Sequence, residues 1–327
     1  MKYAAVKGLD KQVSRMIYGC DWIMANSEES KKIAFETLDI AYSLGCNAVD
    51  TAHIYCGGES ERVIGLWMEA RANRENMVVL SKGAHPNRDR RRVTPYDILS
   101  DIHDSLVRLK TTYIDIYVLH RDDPDVPVGP IVEVFNTLRS EGKIRAFGGS
   151  NWTHRRIEEA NEYAYKKGLL PLTASSPNFS LADQVENPWG ELNVGIGGAS
   201  QKEAREWYLK NPDVKIFAYS SLARGLFSGR IKPDTTAEEA KTILDGPAFK
   251  AYFHPVNLQK LARAEELAAK KGLGVPQIAS AYVFSHPLNI FSLQAPRGIE
   301  EMRQNVTAMD TILSAEELEF LETGMTS

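Results

Sequence analysis

Residues 77–120 read MVVLSKGAHPNRDRRRVTPYDILSDIHDSLVRLKTTYIDIYVLH. The stretch opens on a β-rich apolar run at 77–82 and closes on another at 114–120. Between them, Thr94-Pro95-Tyr96-Asp97 carries the hydroxyl, the first-turn proline and the acid three residues on that start a helix. Ile98, Ile102, Ser105, Leu106 and Leu109 then recur at helical spacing and make one largely apolar face. A strand, a crossover helix and a second strand predict two parallel strands bridged by an α-helix.

The same unit repeats in both directions along the chain. Further strands are expected at 16–19, 48–50, 144–150, 172–176, 215–219 and 289–293, which with the first two makes eight. Ile131, Val134, Phe135 and Leu138 form another apolar stripe, stopped by Gly142; Ala34, Leu38 and Ala41 form one stopped by Gly45. Segments 180–200 and 230–256 break the rhythm and read as long loops. In a parallel barrel such loops gather at the C-terminal face, where sites are built. No midpoint linker or composition shift interrupts the chain, so one domain over 1–327 is expected, a single α/β (β/α)8 TIM barrel, with a doubly wound open sheet as the alternative.

Composition narrows the function classes. The chain is 43% hydrophobic and 25% charged, which supplies a large core and argues against disorder. A formal net charge of −4 gives no basic field for nucleic acid. The basic run Arg88, Arg90, Arg91 and Arg92 is the exception, and it reads as a solvated loop. Three cysteines, Cys20, Cys46 and Cys56, without CxxC spacing, argue against a disulfide framework and a bound metal, and point to a reducing compartment. No apolar run reaches the length of a membrane span, so a cytoplasmic protein is expected.

The polar residues that end the strands carry the chemistry. Asp50, Lys82, His120 and Ser150-Asn151 each close a β segment, and Tyr55 lies just past Asp50. Singly, each has an ordinary reading: a loop carboxylate, a solvated lysine, a surface tyrosine, a loop histidine. In a closed barrel they converge on one mouth. That set suits carbonyl reduction, because hydride delivery leaves an alkoxide that a tyrosine can protonate. A lysine beside the phenol would lower its pKa, an aspartate would hold the lysine charged, and a histidine would hydrogen-bond the carbonyl oxygen.

These segments resemble the aldo-keto reductase family. The resemblance rests on Asn47-Ala48-Val49-Asp50-Thr51-Ala52-His53-Ile54-Tyr55 with Gly58-Glu59-Ser60-Glu61, Leu80-Ser81-Lys82, Tyr117-Val118-Leu119-His120, and Gly148-Gly149-Ser150-Asn151-Trp152. It extends to 218–226 and Asn305. It implies a barrel with an N-terminal β-hairpin and a catalytic tetrad of Asp50, Tyr55, Lys82 and His120. It also implies a nicotinamide dinucleotide held without a Rossmann unit, and no GxGxxG follows an early strand here. By resemblance Ser150, Asn151 and Ser176 hold the carboxamide, and Tyr219 stacks on the ring. Ser220, Leu222, Arg224 and Gly225 follow the pyrophosphate, while Gln304 and Asn305 meet the adenine. Ser176 stands where relatives usually carry glutamine. In Gln294-Ala295-Pro296-Arg297-Gly298 the arginine is the partner for a 2′-phosphate, which favours NADPH, with NADH as the alternative. Gly148-Gly149 reads as a close approach to the cofactor.

Trp22, His85, Arg121 and Trp152 sit in strand-end loops as candidate pocket residues, and the polarity of His85, Arg121 and Asp122-Asp123 suggests a polar, sugar-like carbonyl substrate over a bulky apolar one. The oligomeric state stays open. Two other functions compete: a nicotinamide-binding redox sensor with little turnover, and a lyase using Lys82 as a Schiff-base nucleophile.

Overall fold

A computed structural model describes residues 1–190 and 192–325. A two-stranded antiparallel hairpin, β1 (Tyr3–Ala5) and β2 (Gln12–Ser14), precedes a closed eight-stranded barrel. Its strands are β3 (Met16–Gly19), β4 (Ala48–Asp50), β5 (Val78–Gly83), β6 (Ile114–Leu119), β7 (Ile144–Ser150), β8 (Ala174–Ser176), β9 (Lys215–Ala218) and β10 (Phe291–Gln294). Neighbours pair in chain order, all parallel, and β10 closes against β3.

Helices α1 (Glu28–Ser43), α2 (Glu59–Arg71), α3 (Pro95–Arg108), α4 (Val128–Ser140), α5 (His154–Lys167) and α6 (Lys202–Lys210) cross between successive strands. Four more, α7 (Ala237–Ile243), α8 (Gly246–Tyr252), α9 (Pro255–Lys271) and α10 (Val275–Ser285), lie between β9 and β10. The chain ends with α11 (Ile299–Ala308) and α12 (Ala315–Thr323). Thr94 caps α3 as its sequence requires, its hydroxyl accepting from the Asp97 amide.

All eight expected strands form, five of them with ends shifted by one or two residues. The last starts at Phe291 rather than residue 289, because Asn289 takes a left-handed φ of 55° that a strand cannot contain. The sixth is shortened to Ala174–Ser176. Segment 230–256 is not a plain loop. Thr236 and Asp245 each cap a short helix there, α7 and α8, through side-chain bonds to the Glu239 and Ala248 amides.

Strand alternation decides which way each chemical group points. Val78 and Leu80 of β5, Ile116 and Val118 of β6, Ala146 of β7, Ala174 of β8 and Phe217 of β9 share the cluster that fills the barrel. Val79, Tyr117, Leu119 and Phe147 belong to the layer between strands and helices. Continuing the inward parity by two residues puts Lys82, His120, Ser176 and Tyr219 on the inside at the C-terminal end, Asp50 follows from Ala48 in the same way, and on β7 two such steps from Ala146, through Gly148, reach Ser150. At the opposite end the hairpin adds Val6 and Val13 to the interior cluster. It is tied down by Asn47, whose amide nitrogen donates to the Gln12 carbonyl and whose oxygen accepts from the Ser14 amide.

Candidate active site

At the C-terminal mouth, Lys82 Nζ lies 2.5 Å from Asp50 Oδ1, donates to the Thr51 carbonyl at 2.9 Å, and donates to the Tyr55 hydroxyl at 3.1 Å. Lys82 and Asp50 are both buried. Because the phenol oxygen accepts from Lys82, its own proton is left to donate elsewhere. The His120 ring stands edge-on between Tyr55 (centroids 5.6 Å) and His85 (4.9 Å).

Electrostatics assign protonation states. Burial pushes the Asp50 carboxyl up to about 6 against the pull of Lys82, so it is a carboxylate at neutral pH. Burial draws the Lys82 ammonium down, but Asp50 and Tyr55 more than offset it and its pKa ends above the ordinary lysine value. An amine held so firmly protonated is a poor Schiff-base nucleophile. Burial, reinforced by Lys82 and Arg121, holds His120 well below the usual histidine range, so the imidazole is neutral. The Tyr55 pKa is raised, because burial outweighs Lys82. This corrects the sequence expectation: Lys82 acts in the expected direction, and desolvation wins.

The loop carrying Tyr55 is braced from behind. Arg108 Nη1 donates to the His53 carbonyl at 2.8 Å and lies 3.3 Å from the fully buried Glu61, which accepts from Ser81 at 2.7 Å. Gly58, at φ 93°, is needed here, since a Cβ would come within 2.7 Å of the Arg108 guanidinium carbon. Neither Arg108 nor Glu61 stood out in the sequence as a partner of this loop, because they meet only when α2 packs on α3.

Of the residues expected to meet the cofactor, Ser150, Asn151, Ser176 and Tyr219 lie at or just past the strand ends that form this mouth. Ser150 Oγ donates to the Ser176 carbonyl at 3.0 Å, while Ser176 Oγ is buried with no hydrogen-bond partner among the described residues. Asn151, at φ 59°, donates to the His120 carbonyl, and its oxygen accepts from the Tyr219 hydroxyl at 2.7 Å. That hydroxyl also lies 2.9 Å from Asn193 Oδ1, a contact from the long loop that sequence reading missed. Ser220, Ala223 and Arg224 all take left-handed φ, followed by Gly225 at φ 104°, a concentration of strain typical of functional loops. Leu222 is half-buried in this loop. Arg224 is ion-paired to Asp245 and stacks 5.0 Å from the Trp189 ring. Asp245-Gly246-Pro247 was a readable helix-start signal for that partner. Arg297 is exposed, makes no ion pair among the described residues, and stands 5.5 Å over Trp22. Gln304 donates to Glu300, and Asn305 is buried on α11. An orphaned serine hydroxyl, a strained loop and an uncommitted arginine around one mouth fit a nicotinamide dinucleotide.

Two expectations shift. Gly148 and Gly149 serve packing inside the protein: a Cβ on Gly148 would fall 1.7 Å from the Ala174 oxygen, and one on Gly149 would strike the Trp152 ring at 2.3 Å. Trp152 is accordingly buried beneath the strand end, its Nε1 donating to the Arg121 carbonyl at 3.4 Å, and is not exposed at the mouth. His85 and Arg121 are half-buried beside the tetrad residues. In the basic run, Arg90 pairs with Asp97 and Arg92 with Asp101, so both brace α3.

Residues 16–323 match the model of the Aldo/keto reductase family, and the chain belongs to that family. It is 29% identical over 317 residues to the aryl-alcohol dehydrogenase GME11368 of Pestalotiopsis microspora, covering 94% of this chain and 77% of that protein. It is 28% identical over 319 residues to an aryl-alcohol dehydrogenase [NADP(+)] of Phanerodontia chrysosporium, covering 89% and 75%. The thermostable aldo-keto reductase Tm1743, solved with the inhibitor epalrestat, superposes with a TM-score of 0.74 over 99% of both chains at 22% identity, a likeness of fold. The chain is therefore an oxidoreductase that uses a nicotinamide cofactor on carbonyl compounds, and the sensor alternative is not favoured.

Proposed function

We propose that this chain, acting as one domain in the cytoplasm, reduces a polar aldehyde or ketone to an alcohol with NADPH. The bound cofactor supplies the hydride. Tyr55 donates the proton to the developing alkoxide, and Lys82 stabilises the tyrosinate left behind. Asp50 orients Lys82, and neutral His120 hydrogen-bonds the carbonyl oxygen and aligns it. Ser150, Asn151 and Ser176 hold the carboxamide, and Tyr219 packs on the ring. Ser220, Leu222, Arg224 and Gly225 follow the pyrophosphate, Arg297 takes the 2′-phosphate, and Gln304 and Asn305 meet the adenine.

The observation that carries the reading is the buried chain of contacts Asp50–Lys82–Tyr55, at 2.5 and 3.1 Å. The exposed, uncommitted Arg297 supports NADPH, as does the cofactor in the name of the Phanerodontia chrysosporium relative. The test is fluorescence titration with NADPH and NADH, then turnover on aldehydes, ketones and sugars. NADPH binding with turnover lost in Tyr55→Phe supports the reading, and absence of nicotinamide binding ends it. Arg297→Ala is expected to weaken NADPH binding by about tenfold or more and NADH binding little; equal weakening removes Arg297 from the phosphate.

A further inference from the structure

One cation at the mouth has no task in the reduction itself. Arg121 follows His120 directly, is half-buried, and donates through Nη1 to the His120 carbonyl at 2.9 Å. Its charge lowers the pKa of His85 and of His120 in addition to burial, and the Tyr55 and Tyr219 phenols act on it in turn. The guanidinium is held by its bond to the His120 carbonyl on the strand end that carries the ring flanked by Tyr55 and His85. Burial draws its own pKa down, and an arginine remains charged regardless.

The neighbouring carboxylates are already committed. Asp50 is paired with Lys82 at 2.5 Å, Asp122 with Arg156 at 3.3 Å, and Asp123 with Arg91 at 3.0 Å. Asp21 is felt at Asp50, Tyr55 and Arg224, and is not among the groups felt at Arg121. Among the described residues Arg121 makes no ion pair, and the one hydrogen bond above leaves most of its five N–H donors uncommitted. A charge withdrawn from water without a counter-ion is costly until an anion meets it. Beside it, His85 Nδ1 lies 2.8 Å from the Pro86 carbonyl, which can only accept. The ring donates there, and Nε2 is left as an acceptor suited to a hydroxyl and unsuited to a second anion.

We propose that the substrate carries a carboxylate in addition to its carbonyl group, and that Arg121 is the side chain that takes it, in the fork geometry that matches guanidinium to carboxylate. The proposal rests on the reductase reading above and narrows its substrate to anionic carbonyl compounds. Arg121 is then a specificity residue, with no part in the proton transfer.

The test uses 2-, 3- and 4-carboxybenzaldehyde, each beside its neutral carbamoyl counterpart, with NADPH and the full chain. kcat/KM is measured for the wild type, Arg121→Gln and Arg121→Lys, and NADPH binding is titrated for each. At least one acid is expected to exceed its amide by about tenfold, mainly through KM. The ratio should collapse towards one in Arg121→Gln and recover in part in Arg121→Lys. The proposal is overturned if acids and amides react alike in the wild type, or if Arg121→Gln lowers both alike. It is equally overturned if that variant weakens NADPH binding with the acid preference intact. Those results leave the reductase reading standing. No turnover of any aldehyde with either nicotinamide ends both.

Discussion

A phenol buried beside an ammonium is pulled two ways: loss of water disfavours the tyrosinate, and Lys82 favours it. At Tyr55 the first effect is larger, and the pKa rises. Reduction uses the protonated phenol, so a raised value means no alkaline loss until beyond about pH 10, the ordinary tyrosine range. On the acid side, burial lifts Asp50 to about 6, so its charge, and with it the clamp on Lys82, is lost as pH falls through about 6. kcat/KM for reduction is therefore expected to rise through that pH and then stay level to about pH 9. Asp50→Asn should lack the acid limb, and a limb that persists in that variant belongs to another group. Asp50, Lys82 and His120 were legible in sequence because each lies at the end of a recognisable strand, and Tyr55 because it follows Asp50 on the next loop. The net direction of the Tyr55 shift was not, because desolvation depends on what the fold stacks around the ring.

At the scale of elements, the mouth is only as exact as the pieces behind it. Arg108 on α3 reaches the buried Glu61 on α2 and the carbonyl of His53, two residues before Tyr55. Removing one partner of such a pair leaves a buried charge uncompensated. Arg108→Met is expected to cost about 3 kcal/mol or more of unfolding free energy and to lower kcat, read by denaturant titration alongside turnover. A stability change within experimental error would show that Glu61 is neutralised in another way. Conversely, Ala72 ends α2 at φ 47°, where glycine is easier, so Ala72→Gly should stabilise by about 1 kcal/mol; a lower thermal midpoint would contradict that. Strands and the Thr94 cap could be read from local pattern. The roles of Gly148, Gly149 and Trp152 could not, because their partners are other strands and a ring brought in by the fold. Helices α7 and α8 were missed although Asp245-Gly246-Pro247 marks one start, because each is only seven residues long and shows little periodicity.

Across the whole molecule, a two-residue strand period does the main work: one parity fills the barrel with Val78, Leu80, Ile116 and Val118, and the next inward positions are the chemical ones. Stability and chemistry thus share strands but occupy opposite ends. The hairpin residue Val13, fully buried at the end away from the tetrad, illustrates the separation. Val13→Ala should cost about 2 kcal/mol of stability while kcat stays near the wild-type value, and a large fall in kcat without destabilisation would contradict it. The closed barrel was legible because eight strands alternate with helices; the packing of the hairpin under it was not, since Val6 and Val13 carry no periodic signal of their own. The central claim is that Tyr55, beside Lys82, protonates the substrate. Its most direct test is single-turnover oxidation of bound NADPH by a carbonyl substrate, comparing wild type with Tyr55→Phe. The account predicts a rate lower by about 10²–10⁴ with NADPH affinity nearly unchanged; an undiminished rate in Tyr55→Phe would contradict it.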